Sequence, residues 1–147
     1  MVRMKRGLAL AALAWLWFGP RPALALELTF SNAEQCEAAV ALAYERGGLS
    51  VTAGWHRLAP GQSLTVKLFQ VDRGEVYAHV AFEYPHIIQQ VEGTADTVER
   101  LLRNTHFRYT GIEPDGPLWR RATFYQISPP VSSDQKAGPI ILRGREK

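Results

Sequence analysis

The sequence contains one cysteine, Cys36. No internal disulfide can therefore brace the fold, and the core must hold by burial alone. Two readings of the thiol stay open: a bridge to another molecule, and a buried group acting as a small hydrophobe. With one cysteine there is no Cys-x-x-Cys knuckle for zinc and no Cys-x-x-Cys-His for haem. The four histidines, His56, His79, His86 and His106, never fall one helical turn apart. Only His56 and His79, meeting on one sheet face, offer an alternative to the expectation of no metal and no cofactor. Also missing is a Gly-x-Ser-x-Gly elbow, and no phosphate-binding lysine follows Gly47-Gly48. No residue is assigned a catalytic role.

Long apolar runs are equally scarce. The longest, Gly7 to Phe18, falls short of the roughly 20 residues a spanning helix needs. Arg3, Lys5 and Arg6 precede it, Gly19-Pro20-Arg21-Pro22 breaks it, and Ala23 and Ala25 supply small side chains. That order predicts a secretory signal peptide over residues 1–25, cut between Ala25 and Leu26, with an uncleaved anchor as the competing reading. No cysteine follows Ala25 and no arginine pair precedes the apolar run, which argues against lipid attachment and twin-arginine export. The expected location is periplasmic or secreted, with the membrane met only during export.

Positive charge is concentrated in that leader. Of 17 basic residues four (Arg3, Lys5, Arg6, Arg21) precede Leu26, and none of the 14 acidic ones does, so 13 remain against 14, a net charge of −1. Nucleic-acid binding needs a basic face. Here Arg100, Arg103, Arg108, Arg120 and Arg121 are balanced by Glu92, Asp96, Glu99, Glu113 and Asp115, and no nucleic-acid partner is expected. The 122 residues left from 147 suit a single domain.

What is present is alternation. Cys36, Ala38, Val40, Leu42 and Tyr44 share one face of a segment whose other face carries Glu37 and Glu45. Leu49, Val51, Ala53 and Trp55 alternate next, then Leu64, Val66 and Leu68, then Val76, Ala78, Val80, Phe82 and Tyr84. Period two is the strand signal. Gly47-Gly48, Ala59-Pro60-Gly61-Gln62 and Asp72-Arg73-Gly74 supply the turns. Two more strands are expected at about His106–Gly111 and Trp119–Ile127, joined by a rigid turn over Ile112–Leu118. Such spacing predicts an antiparallel β-sandwich or barrel-like sheet, each strand with one apolar and one mixed face. Val98, Leu101 and Leu102, three and four apart behind Thr94 or Asp96, predict one short helix between Gly93 and Asn104. The domains are then a signal peptide (1–25), a β-rich globular domain (26–128) and a flexible tail (129–147), in which Ile140-Ile141-Leu142 is able to add an edge strand.

Two stretches, Ala41-Leu42-Ala43-Tyr44 and Gly54-Trp55-His56-Arg57-Leu58-Ala59-Pro60-Gly61-Gln62-Ser63, resemble the bacterial domain-of-unknown-function family 1036 over about residues 36–68. That family shows a strand ending Ala-x-x-Tyr and a Gly-Trp-Trp-x-Leu/Ile-x-Pro-Gly-x-Cys segment. Here His56 replaces the second Trp and Ser63 the Cys, which leaves Cys36 without the disulfide the family pattern suggests. The resemblance implies an exported β-domain; the family has no assigned activity.

The functional expectation is an exported envelope binding or accessory module with an envelope protein or glycan as partner. Oligomeric state is left undetermined. Trp55, His56 and Arg57 are the candidate binding residues, because an indole beside hydrogen-bonding groups offers stacking area and directional donors. His79 and Tyr77 are expected on the same kind of solvent-facing surface. The alternative is an envelope hydrolase using exposed histidines or carboxylates drawn from Asp72, Glu75 and Glu83.

Overall fold

The computed structural model of the chain describes residues 24–73, 75–84, 87–89, 96–127 and 140–146. The leader's charged head and apolar run lie outside these residues, as do His86 and residues 128–139. The described residues form eleven strands: β1 (Leu24–Asn32), β2 (Ala38–Arg46), β3 (Leu49–Leu58), β4 (Ser63–Val71), β5 (Val76–Phe82), β6 (Ile87–Gln89), β7 (Thr97–Leu102), β8 (Phe107–Thr110), β9 (Arg120–Gln126), β10 (Ile140–Leu142) and β11 (Gly144–Glu146). They build a six-stranded sheet ordered β7-β9-β5-β2-β3-β8, a three-stranded sheet ordered β10-β1-β4, and a β6–β11 pair. All neighbours are antiparallel except β1 and β10. The mainly β, antiparallel architecture read from the alternation is the one observed. Among the described residues no helix is long and apolar enough to cross a membrane.

β5 shows why the pattern folds this way. Val76, Ala78, Val80 and Phe82 are buried in turn, while Tyr77, His79 and Ala81 between them are half-buried. β1 repeats the rule. Leu26, Leu28 and Phe30 point inward, and on the other face Thr29 meets Thr65 at 3.0 Å and Ser31 meets Ser63 at 2.6 Å. The inward residues of β1 and β4 pack on Val40, Leu42, Val76 and Val80 to make the main core. Removing such surface from water contributes roughly 25 cal/mol per Å2.

The six-stranded sheet also curls. Its edge strands β7 and β8 come together, and the Tyr109 hydroxyl accepts from Leu101 N at 2.9 Å and donates to Leu101 O at 2.8 Å. One side chain thus satisfies both outward backbone groups of an edge residue, a device that blunts an exposed edge. The inside of the curl holds a second cluster of Ala41, Ala43, Leu102, Phe107 and Phe124, backed by Trp55, Tyr77, Val98 and Trp119. β2 is consequently buried on both faces from Ala38 to Tyr44. The expectation of one mixed face per strand fails there, because each side of the sheet has its own cover.

Two further expectations are corrected and one, the edge strand, is met. The helix between Gly93 and Asn104 is not formed where the chain is described: residues 97–102 are strand β7, and 93–95 lie outside. Leu101 and Leu102 point to opposite sides of an extended chain, and six register pairs with β9 outweigh a weak helical spacing. Cys36 sits in a bend ahead of β2, buried and unpaired, not on the strand itself. Within the segment assigned to the tail, Ile140–Leu142 pairs with β1 and Gly144–Glu146 with β6. The junction Ala25–Leu26 lies inside β1.

The turns follow the sequence closely. Gly47 and Gly48 take φ of +57° and +75°, the left-handed region that favours glycine. Their amides donate to the Asp72 carboxylate at 2.8 and 2.7 Å. Those bonds, Gly48 first and then Gly47, hold the Asp72 carboxyl below its ordinary range. Asp72 is thus a fastener of two turns, away from any candidate site.

Candidate functional site

The register across β3, β2 and β5 sets out the inside of the curl in rows. Ala43 stands between Thr52 and Tyr77, Ala41 between the Gly54–Trp55 step and His79, and Ala39 between Arg57 and Ala81. Each row is centred on a methyl group, which leaves room for a large neighbour such as Tyr77, Trp55, His79 or Arg57. The row of Ala39 opens to solvent as a cleft of about 240 Å3, walled by Trp55 and floored by Ala39 and Ala81. Glu37, Arg57, Glu83, Asn104 and Arg120 form its rim.

Trp55 is fixed in place from several sides. Its indole N–H donates to Arg103 O at 2.7 Å, and its ring meets Phe107 edge-on at 5.9 Å and His79 at 6.1 Å. Gly54 explains how so bulky a group fits. The ladder slips between Val40 and Leu42, so Gly54 and Trp55 share the space opposite Ala41, and the peptide bond between them is cis. A Cβ on Gly54 would lie 2.9 Å from Phe107 Cε1 and 3.1 Å from Ala41 Cβ. Gly54→Ala is therefore expected to destabilise the domain by about 1–3 kcal/mol, the range for overpacking. The midpoint of urea unfolding reads this out, and Phe107→Leu in the same chain should restore part of the loss.

Of the three candidate binding residues, Trp55 and Arg57 meet in the cleft and His56 does not. Alternation turns His56 to the opposite face of β3, where its register partner Val40 belongs to the main core. Burial, and then the nearby His106, lower its pKa. His79 and Tyr77 are inside the curl, not on an open surface. The His79 ring lies 5.6 Å from Phe124, and Nδ1 is 3.0 Å from Thr123 O. A carbonyl only accepts, so Nδ1 carries the proton.

Burial pushes the His79 pKa down; the Thr123 bond opposes this and the Arg120 charge adds to it. The unfolded chain takes up a proton near the ordinary value of 6.5, and folded His79 only at lower pH. Stability is thus full above that value and falls as pH drops through it. His56 acts in the same direction. We expect the unfolding free energy to decline between about pH 7.5 and about pH 5.5, and His79→Gln to flatten the decline. An unchanged slope in that variant would contradict the assignment.

The carboxylates weighed for hydrolysis do not converge. Glu83 is at the cleft, whereas Glu75 lines a smaller cleft of about 90 Å3 with Arg73, Tyr77 and Arg100. The seven residues of β5 separate them, about 23 Å of strand. Glu37 is near Glu83, but Arg57 Nη1 engages it at 2.8 Å. A general acid requires an environment that keeps its proton on, and a paired arginine does the opposite. Among the described residues no group of three or more His, Cys, Asp or Glu side chains is placed to hold a metal ion.

Glu37, Glu83, Asn104 and Arg120 were not selected as a group from the sequence. Their signal is positional: Glu37 and Glu83 are the residues just outside the β2–β5 ladder, joined by Glu83 N to Glu37 O at 2.8 Å. Comparison of the chain with protein-family profiles, with curated proteins and with solved structures finds no match.

Proposed function

We propose that this chain is exported by residues 1–25 and that its β-domain serves in the envelope as a binding module, with the Trp55 cleft as its site. The observation that carries the reading is the convergence of one fixed indole with four charged side chains at the open end of a curled sheet. A wall with stacking area, an apolar floor and directional polar groups is the common make-up of small-ligand sites. The volume is below the roughly 300–1,000 Å3 of drug-sized pockets, so the occupant is of the size of a single sugar or amino acid. Membership of domain family 1036 belongs to the same proposal and rests on residues 36–68.

Titrating small envelope-type solutes into the 15N-labelled protein tests the site. A binding solute should shift the Trp55 indole and the amides of Ala39, Arg57 and Ala81 together, and Trp55→Ala should weaken it by at least about tenfold, the scale of one lost aromatic anchor. Shifts confined to other surfaces would remove the cleft from consideration. The mass of the protein recovered after expression of the full chain tests export, with cleavage before Leu26 as the expected result.

A further inference from the structure

Two of the four rim charges satisfy each other, since Arg57 and Glu37 are paired at 2.8 Å. The other two are left over. Among the described residues Arg120 makes no side-chain hydrogen bond or ion pair, and the Glu83 carboxylate has only Oε2 engaged, by Glu37 N at 3.3 Å.

Their placement follows from the sheet. β5 and β9 pair antiparallel at Tyr77–Gln126 and Ala78–Tyr125, and the pairing stops there. Continuing the same register would set Glu83 opposite Arg120. The strands have parted by then, with His79 reaching across to Thr123 O, and the two charges line one cleft without touching. Opposite charges in register usually close into a pair. Here a gap floored by Ala39 and Ala81 and walled by Trp55 lies at the same opening.

Resting on the proposed cleft, we infer that its ligand is a small aliphatic zwitterion of amino-acid size, its carboxylate on Arg120 and its ammonium on Glu83. A guanidinium suits a carboxylate because its planar donors match the two oxygens. A free carboxylate oxygen accepts from an ammonium. The aliphatic part then covers the alanine methyls and the indole. Both charged ends and a short aliphatic part fit within about 240 Å3.

Calorimetric titration of the protein recovered from the full chain, with alanine, N-acetylalanine, alaninamide, alanylalanine and N-acetylglucosamine, decides this. Alanine or alanylalanine should bind, the stronger of the two identifying a free amino acid or a dipeptide as the source. Loss of either charge, in N-acetylalanine or alaninamide, should weaken binding at least about tenfold, as expected for a charge-assisted contact. Arg120→Gln should weaken alanine but not alaninamide, and Glu83→Gln should weaken alanine but not N-acetylalanine. Retained amide spectra show that both variants fold. N-acetylglucosamine binding at Trp55 without alanine would overturn the zwitterion and keep the cleft. Alanine binding indifferent to both substitutions would overturn it as well. No probe moving the Trp55 indole resonance would sink the inference and the cleft together.

Discussion

Asn32→Asp is expected to lower the unfolding free energy by about 3–5 kcal/mol at neutral pH, the scale of an uncompensated buried charge. Asn32 is 2 % exposed at the end of β1. Its Nδ2 donates to Cys36 O at 2.8 Å, Leu58 O at 3.2 Å and Ala59 O at 3.3 Å, while Oδ1 accepts from Glu34 N at 3.0 Å. Its backbone joins the turn after β3 through Asn32 N to Gln62 O at 2.9 Å and Gly61 N to Asn32 O at 3.0 Å. One amide therefore ties together the bend before β2, the end of β3 and the turn into β4. Aspartate has nearly the same shape, but it directs an oxygen and a negative charge at three carbonyls. Asn32→Ala removes the donor and the acceptor without adding a charge and should cost less, about 1–3 kcal/mol. Urea unfolding of the three proteins gives the ranking. Acidification should recover part of the loss in the Asp variant, because a protonated carboxyl regains one donor. An Asp variant as stable as the Ala variant would refute the account.

Phe124→Ala is expected to cost about 3–5 kcal/mol, as large-to-small changes of buried aromatics do. Phe124 is fully buried at the centre of the inner cluster, and its ring packs on His79. Native stabilities of about 5–15 kcal/mol make this a large fraction of the total. The change also has a second readout. His79 stays neutral chiefly because it is buried, so a cavity beside it that admits water should raise its pKa toward the ordinary value. The decline in stability between about pH 7.5 and about pH 5.5 should then become shallower than in the parent protein. Loss of stability with an unaltered slope would show that Phe124 does not control water access to the imidazole.

Strand content was legible because period two is local. Val76 to Phe82 needs only its own residues to declare a face, and the Gly47-Gly48 and Pro60-Gly61 turns carry their own chemistry. β1 was hidden because Leu24 to Leu28 reads as the trailing edge of a leader, while its pairing to β4 is remote. β7 was misread because Val98, Leu101 and Leu102 satisfy two periods at once, and the partner that decides between them, β9, lies some twenty residues away in sequence. The curl was illegible: it depends on a Tyr109 hydroxyl finding the backbone of Leu101, a contact no pattern encodes. Of the site, Trp55 and Arg57 were visible as an indole and a charge near a glycine. Glu37, Glu83 and Arg120 became neighbours only once three strands were in register.

The methyl groups down the middle of β2 divide responsibilities within a single strand. Val40 and Leu42 face the large outer core, so changes there trade directly against folding. Ala39 lines the cleft instead. A branched residue at Ala39 would therefore shrink the vestibule while leaving Glu83, just past β5, and Arg120, on β9, as they are. In the proposed site, size is set from β2 and charge from residues at the ends of β5 and β9.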